Sequence, residues 1–79
     1  MLKLKIVCPE KVVYEGDAEN VTVPGSLGQF EILDHHAPII SSLTAGTVTY
    51  TGNGGKQSVQ VLGGFVEVKK NEVCVCVEV

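Results

Sequence analysis

Three groups of residues carry side chains able to do chemistry: Asp34-His35-His36, the thiols Cys8, Cys74 and Cys76, and the pair Lys69-Lys70. A metal site needs donors that converge on one point. Neighbours in an extended chain point to opposite faces, so His35 and His36 diverge, and no third histidine exists. A hydrolytic triad needs an activated nucleophile, and the chain has no Gly-x-Ser-x-Gly elbow. The pattern therefore predicts structural imidazoles. One bonds to backbone where the chain leaves a strand, and the other faces solvent or a partner. No catalytic residue, metal site or cofactor is expected.

Three thiols are an odd count, which excludes a closed disulfide set. Cys74 and Cys76 share a face of a strand-like run, with Cα atoms about 6.5–7 Å apart, at or beyond disulfide reach. Reduced, small, apolar cysteines are predicted. Gly25, Gly28, Gly63 and Gly64 would cradle a phosphate only beside a helix N-terminus, and no helical stripe is present. They read as turns and close packing. Gly63-Gly64, inside a strand pattern, predicts a bulge or the tight approach of another backbone. Lipoyl and biotinyl carrier domains are β-sandwiches of about this size with one lysine on a hairpin, typically flanked by methionine. Here Lys70-Asn71 reads as a plain polar turn, and the only methionine is Met1. Such a carrier domain, or a generic β-sandwich interaction module, remains the alternative reading.

The elements that must position these residues are strands. Period-two alternation recurs along the chain. Strands are predicted over 2–8, 11–15, 18–23, 29–33, 39–43, 47–51, 59–62, 65–69 and 73–79, with Gly16-Asp17 as a break. Pro38 biases Ala37 to an extended conformation and leaves 34–38 irregular. Gly52-Asn53-Gly54-Gly55 predicts a hairpin whose Asn-Gly accepts the positive φ of a type I′ turn. The fold class is all-β: an antiparallel β-sandwich or flattened barrel of about ten short strands. Val73, Val75, Val77 and Val79 share one face of the last strand and Cys74 and Cys76 the other. That predicts a strand covered on both faces, or one that waits for a partner.

Composition narrows the function classes. Seventy-nine residues make one domain. A chain this short buries roughly 60% of the surface its unfolded form exposes, so disulfides, a metal or a partner often supplement its core. Six lysines, no arginine and a net charge of −3 leave no basic stripe for nucleic acid. No apolar run approaches the length of a membrane span, and Met1 leads straight into Leu2-Lys3-Leu4-Lys5-Ile6. The expectation is a cytosolic protein, or one that meets a membrane only through partners.

Several motifs occur in a specific order. They are Leu4-Lys5-Ile6-Val7-Cys8-Pro9-Glu10, Val13-Tyr14-Glu15-Gly16, Val23-Pro24-Gly25-Ser26-Leu27-Gly28-Gln29-Phe30, and Ile32-Leu33 followed by His36-Ala37-Pro38. Leu43-Thr44-Ala45-Gly46-Thr47-Val48 and Gly63-Gly64-Phe65-Val66-Glu67-Val68 complete the series. In order and spacing, the chain resembles the N-terminal β domain of the ε subunit of bacterial F-type ATP synthase over nearly all 79 positions. Glu31 stands where that family usually has a small residue, and Asp34 where proline is common.

The resemblance implies a non-catalytic rotor subunit in the central stalk. It would pack beside the γ subunit, rest on the polar loops of the membrane c-ring, and couple proton translocation to ATP synthesis. The implied location is peripheral, on the cytoplasmic face of the bacterial inner membrane. The ring-facing turn falls on Ser26, Leu27, Gly28 and Gln29, and Glu31 is added as a charge that meets a basic residue of the ring loop. The γ-facing side falls on Cys8, His36 and Ser41. Family members usually continue into a two-helix domain that brakes ATP hydrolysis. The expectation here is one domain over 1–79, a short form without that brake.

Overall fold

The computed structural model describes residues 1–79, and every regular element is a strand. The nine strands are β1 (Leu2–Cys8), β2 (Lys11–Ala18), β3 (Asn20–Gly25), β4 (Gly28–Leu33), β5 (Ile39–Leu43), β6 (Gly46–Gly52), β7 (Gly55–Val61), β8 (Gly63–Lys69) and β9 (Glu72–Glu78). They form one curled sheet in the order β2-β1-β9-β8-β5-β3-β6-β7, with β4 on the free side of β3. A single pairing, Gly25 with Leu43, joins β3 to β5. It divides the sheet into two layers, β2-β1-β9-β8-β5 and β4-β3-β6-β7. Across the opposite side, the Tyr14 and Tyr50 rings meet with centroids 4.5 Å apart.

Alternation decides the core. Leu2, Leu4 and Ile6 of β1 and Val73, Val75 and Val77 of β9 face inward, against Val21 and Val23 of β3, Ile32 of β4 and Val48 of β6. Burying such side chains is worth about 1.5–3 kcal/mol each relative to exposure. Cys74 and Cys76 lie on the outer face of β9, half-buried and unbonded. The β9 strand is central, paired to β1 and β8, so its backbone does have partners on both edges.

Three expectations needed correction. First, β1 and β9 run parallel, although every other pairing is antiparallel. Alternation fixes a strand's faces but says nothing of its direction relative to a distant strand. Second, Gly16-Asp17 does not break β2. Gly16 pairs with Leu4 and Asp17 with Lys3. A Cβ on Gly16 would lie 3.0 Å from the Tyr14 hydroxyl, which donates to the Asp17 carbonyl at 2.8 Å. The glycine makes room for the tyrosine along the strand, and the chain turns only at Glu19.

Third, the turn types are exchanged. In the β6–β7 hairpin positive φ falls on Gly55 (95°), after Asn53-Gly54. That suits a type I turn followed by a glycine bulge. The type I′ pattern, with two successive left-handed residues, sits in the β8–β9 turn at Lys70 (φ 50°) and Asn71 (φ 60°). Both loops have two residues between directly paired ends, Gly52 with Gly55 and Lys69 with Glu72, but only the first has a glycine after them to take the positive φ. The Gly63-Gly64 expectation holds. A Cβ on Gly64 would stand 2.1 Å from the Cys76 carbonyl oxygen, a contact that only glycine avoids.

Candidate interaction site

The β3–β4 hairpin spans the molecule and presents a different structure at each end. At one end, Gly25 pairs with Gly28 and the two-residue tip is Ser26-Leu27. Gly28 takes φ 132°, a conformation open to glycine. A Cβ on Gly25 would lie 2.7 Å from the Gly28 carbonyl oxygen and 2.8 Å from the Phe30 ring. The tip is tied to the end of β5 and to Thr44. The Ser26 amide donates to the Ser42 carbonyl at 3.0 Å, the two serine hydroxyls share a hydrogen bond of 2.7 Å, and the Thr44 amide donates to the Pro24 carbonyl at 2.9 Å. On this braced tip the Leu27 side chain stands wholly in solvent, at 105% relative exposure. Of the eight large apolar side chains exposed at the surface, Leu27 is the most exposed.

Gln29 and Glu31 follow on β4 and point outward, since Phe30 and Ile32 between them point to the core. Glu31 pairs with Thr22, three ladder steps from the tip, or about 10 Å along the strand. Its surroundings are a polar face that includes Thr22, Gln29, Thr49 and Lys56. Ser26, Leu27, Gly28, Gln29 and Glu31 are therefore one continuous hairpin surface.

At the other end, β4 leaves the sheet through a turn in which the His36 amide donates to the Leu33 carbonyl at 3.1 Å. His35 sits at φ 64° in this turn, a conformation histidine adopts more readily than most non-glycine residues. The Asn71 side chain pins the corner from the β8–β9 turn. Its Oδ1 accepts from the His35 amide at 2.7 Å, and its Nδ2 donates to Asp34 Oδ1. The Asn71 carbonyl also accepts from the Lys3 amide at 2.9 Å. The N-terminal ammonium lies 3.3 Å from the Asp34 carboxylate. At Asp34, desolvation works to raise the carboxyl pKa. Hydrogen bonds from the ammonium and Asn71, with the charges of the ammonium and His35, outweigh it, and the net shift is downward.

His36 is half-buried. Its Nδ1 is 2.7 Å from the Ala37 carbonyl, and its ring centroid is 6.5 Å from that of Phe30. His35 is exposed, so the predicted division between a backbone-bonded and a solvent-facing imidazole holds. Cys8 ends β1 on the buried face, with its thiol 3.5 Å from Glu10 Oε2. Ser41 shares the inward face of β5 with Leu43 and is half-buried. Between Cys8 on β1 and Ser41 on β5 stand β9 and β8, a separation of about 14 Å at normal strand spacing. The fold gathers Ser26, Leu27, Gly28, Gln29 and Glu31 into one hairpin and sets Cys8 and Ser41 on strands with two others between them.

The residues that brace these ends were not singled out by the sequence. Ser42 and Thr44 look like ordinary strand-end polar residues. Asn71 looked like a plain turn residue. Only its place at a type I′ position, where asparagine is favoured, carried a signal.

The fold is a two-layered β-sandwich domain whose distinctive features lie at its turns. The chain belongs to the family described as ATP synthase, Delta/Epsilon chain, beta-sandwich domain, which matches residues 1–79. It is 44% identical over 72 residues to an ATP synthase epsilon chain of Desulfitobacterium hafniense, covering 91% of this chain and 54% of that protein. It is 41% identical over 76 residues to the cyanelle epsilon chain of Cyanophora paradoxa, covering 96% and 58%. The chain thus spans a little over half the length of these curated relatives. A chain of the Euglena gracilis mitochondrial ATP synthase OSCP/F1/c-ring assembly shares the fold with a TM-score of 0.88 at 19% identity, over 96% of this chain and 49% of that one. A chain of the Tetrahymena thermophila central stalk/c-ring does so with a TM-score of 0.85 at 15% identity, over 99% and 63%.

Proposed function

We propose that this domain is a non-catalytic rotor element of an F-type ATP synthase, set between the γ subunit and the c-ring. It helps transmit proton-driven rotation to ATP synthesis. The observation that carries this reading is the family match along the whole chain combined with a solvent-exposed Leu27 on a doubly braced tip. A torque-bearing joint must not bend, and short turns with cross-ties to β5 suit that need. In this reading Ser26, Leu27, Gly28 and Gln29 meet the polar loops of the ring, with Glu31 at the rim. His36, Ser41 and the region of Cys8 lie toward γ. The domain has no helix, hence none long and apolar enough to cross a membrane. It reaches the cytoplasmic face of the membrane through its partners.

The test is reconstitution with γ and c-ring membranes. Leu27→Asp is expected to leave γ binding intact and to weaken ring association about tenfold, as loss of an interface anchor does. Loss of γ binding with ring binding unchanged would reverse the assignment of the two ends. Glu31→Gly removes only a rim charge, worth about 0–1 kcal/mol, so proton-coupled synthesis should be nearly unchanged. His36→Ala is expected to weaken γ binding, and equal affinity would remove His36 from that surface. Residues 1–79 are proposed to support assembly without acting as a brake. Inhibition of ATP hydrolysis on adding them to a γ-containing complex would contradict that.

A further inference from the structure

The outer face of β9 carries a feature that the docking function does not use. The sulfurs of Cys74 and Cys76 lie 3.7 Å apart, although residues i and i+2 of a strand are separated by about 6.5–7 Å at the backbone. A disulfide needs sulfurs at about 2.05 Å and Cα atoms usually about 4.4–6.8 Å apart, so the strand spacing lies at the upper limit. The β9 backbone cannot shorten locally, because Cys74 and Cys76 are in register with Lys5 and Val7 of β1 on one edge and with Glu67 and Phe65 of β8 on the other. Closing the bond would require a central strand to contract between two paired neighbours. The thiols are brought together and held short of bonding.

That geometry fits a single soft atom between them. At a thiolate bond length of ~2.3 Å, a centre bridging 3.7 Å subtends about 107°, a bent or pyramidal angle. A linear two-sulfur centre at the same bond length would need sulfurs about 4.6 Å apart. No group of three or more His, Cys, Asp or Glu residues is placed to hold a metal ion, so the ligand is one that two sulfurs complete. Access is open. Both thiols are half-buried; Cys74 lines one surface depression with Lys3 and Lys5, and Cys76 lines another that Cys8 also borders.

We infer that Cys74 and Cys76 form a dithiol binding site for monosubstituted trivalent arsenicals, a class whose pyramidal centre takes one carbon and two sulfurs. The step is an exchange without redox. R–As(OH)2 and two thiols give R–As(S)2 and two waters. Two As–O and two S–H bonds break, and two As–S and two O–H bonds form. The thiol protons leave in the water, and no charge is created. Burial pushes the Cys76 thiol pKa up, and the neighbouring Cys74 adds to the shift. A neutral exchange suits such thiols better than capture of a cation, which requires thiolates.

The experiment adds phenylarsine oxide to the 79-residue chain and reads intact mass and competition with free dithiol. One adduct per chain is expected, stable to glutathione and released by excess dimercaptopropanol. Cys74→Ser or Cys76→Ser should each weaken retention roughly 100-fold, the loss of an intramolecular second contact. Cys8→Ser, on the inward face of the neighbouring β1, should change nothing. In the unmutated chain the arsenical should protect Cys74 and Cys76 together from alkylation, as mapped by peptide mass. Retention in either single variant, dependence on Cys8, one arsenic shared by two chains, or independent alkylation of the two thiols would each overturn the site.

Discussion

The two ends of the β3–β4 hairpin solve the same problem by different means. The Ser26-Leu27 tip is held by neutral hydrogen bonds to Ser42 and by Thr44 bonding back to Pro24, and its backbone strain rests on Gly28. The Leu33–His36 corner is held chiefly by one distant side chain, Asn71, beside an ion pair, and places a histidine in the left-handed region. The first end is stiff for reasons built into its own sequence and one neighbouring strand. The second depends on contacts 36 and 37 positions away. Under the proposed function, the tip gains from local rigidity. A corner assembled from remote parts is sensitive to substitution elsewhere and to pH.

The sharpest way to break the contrast is Gly25→Ala. The added Cβ meets the Gly28 carbonyl and the Phe30 ring, and overpacking of this kind costs about 1–3 kcal/mol. A urea midpoint equal to that of the parent chain would show that the tip yields easily and is not the rigid end. Next comes Asn71→Ala, which removes both side-chain bonds to the corner and puts alanine at φ 60°. About 1–2 kcal/mol of destabilisation is expected. Exchange of the His35 amide should rise in the same variant while that of Ser26 does not.

The smallest effect separates the ends by pH. The folded Asp34 pKa lies below its ordinary value of 3.8. A lowered carboxylate pKa contributes stability that is present above the unfolded value and is lost as pH falls through the folded one. Asp34→Asn should therefore be slightly less stable than the parent chain at neutral pH, and the two should converge on acidification below the ordinary aspartate range. The comparison is read from paired denaturation curves. A gap that persists at low pH would mean that Asp34 acts through packing and not through its charge. The Gly25–Gly28 tip carries no titrating group and should show no such dependence.

Much of the candidate site was legible in residues 23–38. Glycines flanking Ser26-Leu27 announced a turn, and His-Ala-Pro announced an irregular exit. The strand over 29–33 that carries Gln29 and Glu31 also followed from period two. The brace from Ser42 and Thr44 was not legible, because nothing in residues 24–28 states which strand end lies beside them. Nor was the separation of Cys8 from Ser41, which depends on β9 and β8 standing between β1 and β5.

By itself the sequence determined that the chain is all strand and which side chains face the core. Leu2, Leu4 and Ile6, like Val73, Val75 and Val77, alternate with polar or smaller residues, and the pleat translates that alternation directly into faces. Only the tertiary structure decided that β1 and β9 run parallel, that Asn71 pins the histidine corner, and that two strand thiols lean to 3.7 Å. Pleat and turn preference are properties of a few consecutive residues. Strand direction, remote pins and side-chain approach are set by where distant segments meet, and that is fixed only when the two layers close on one core.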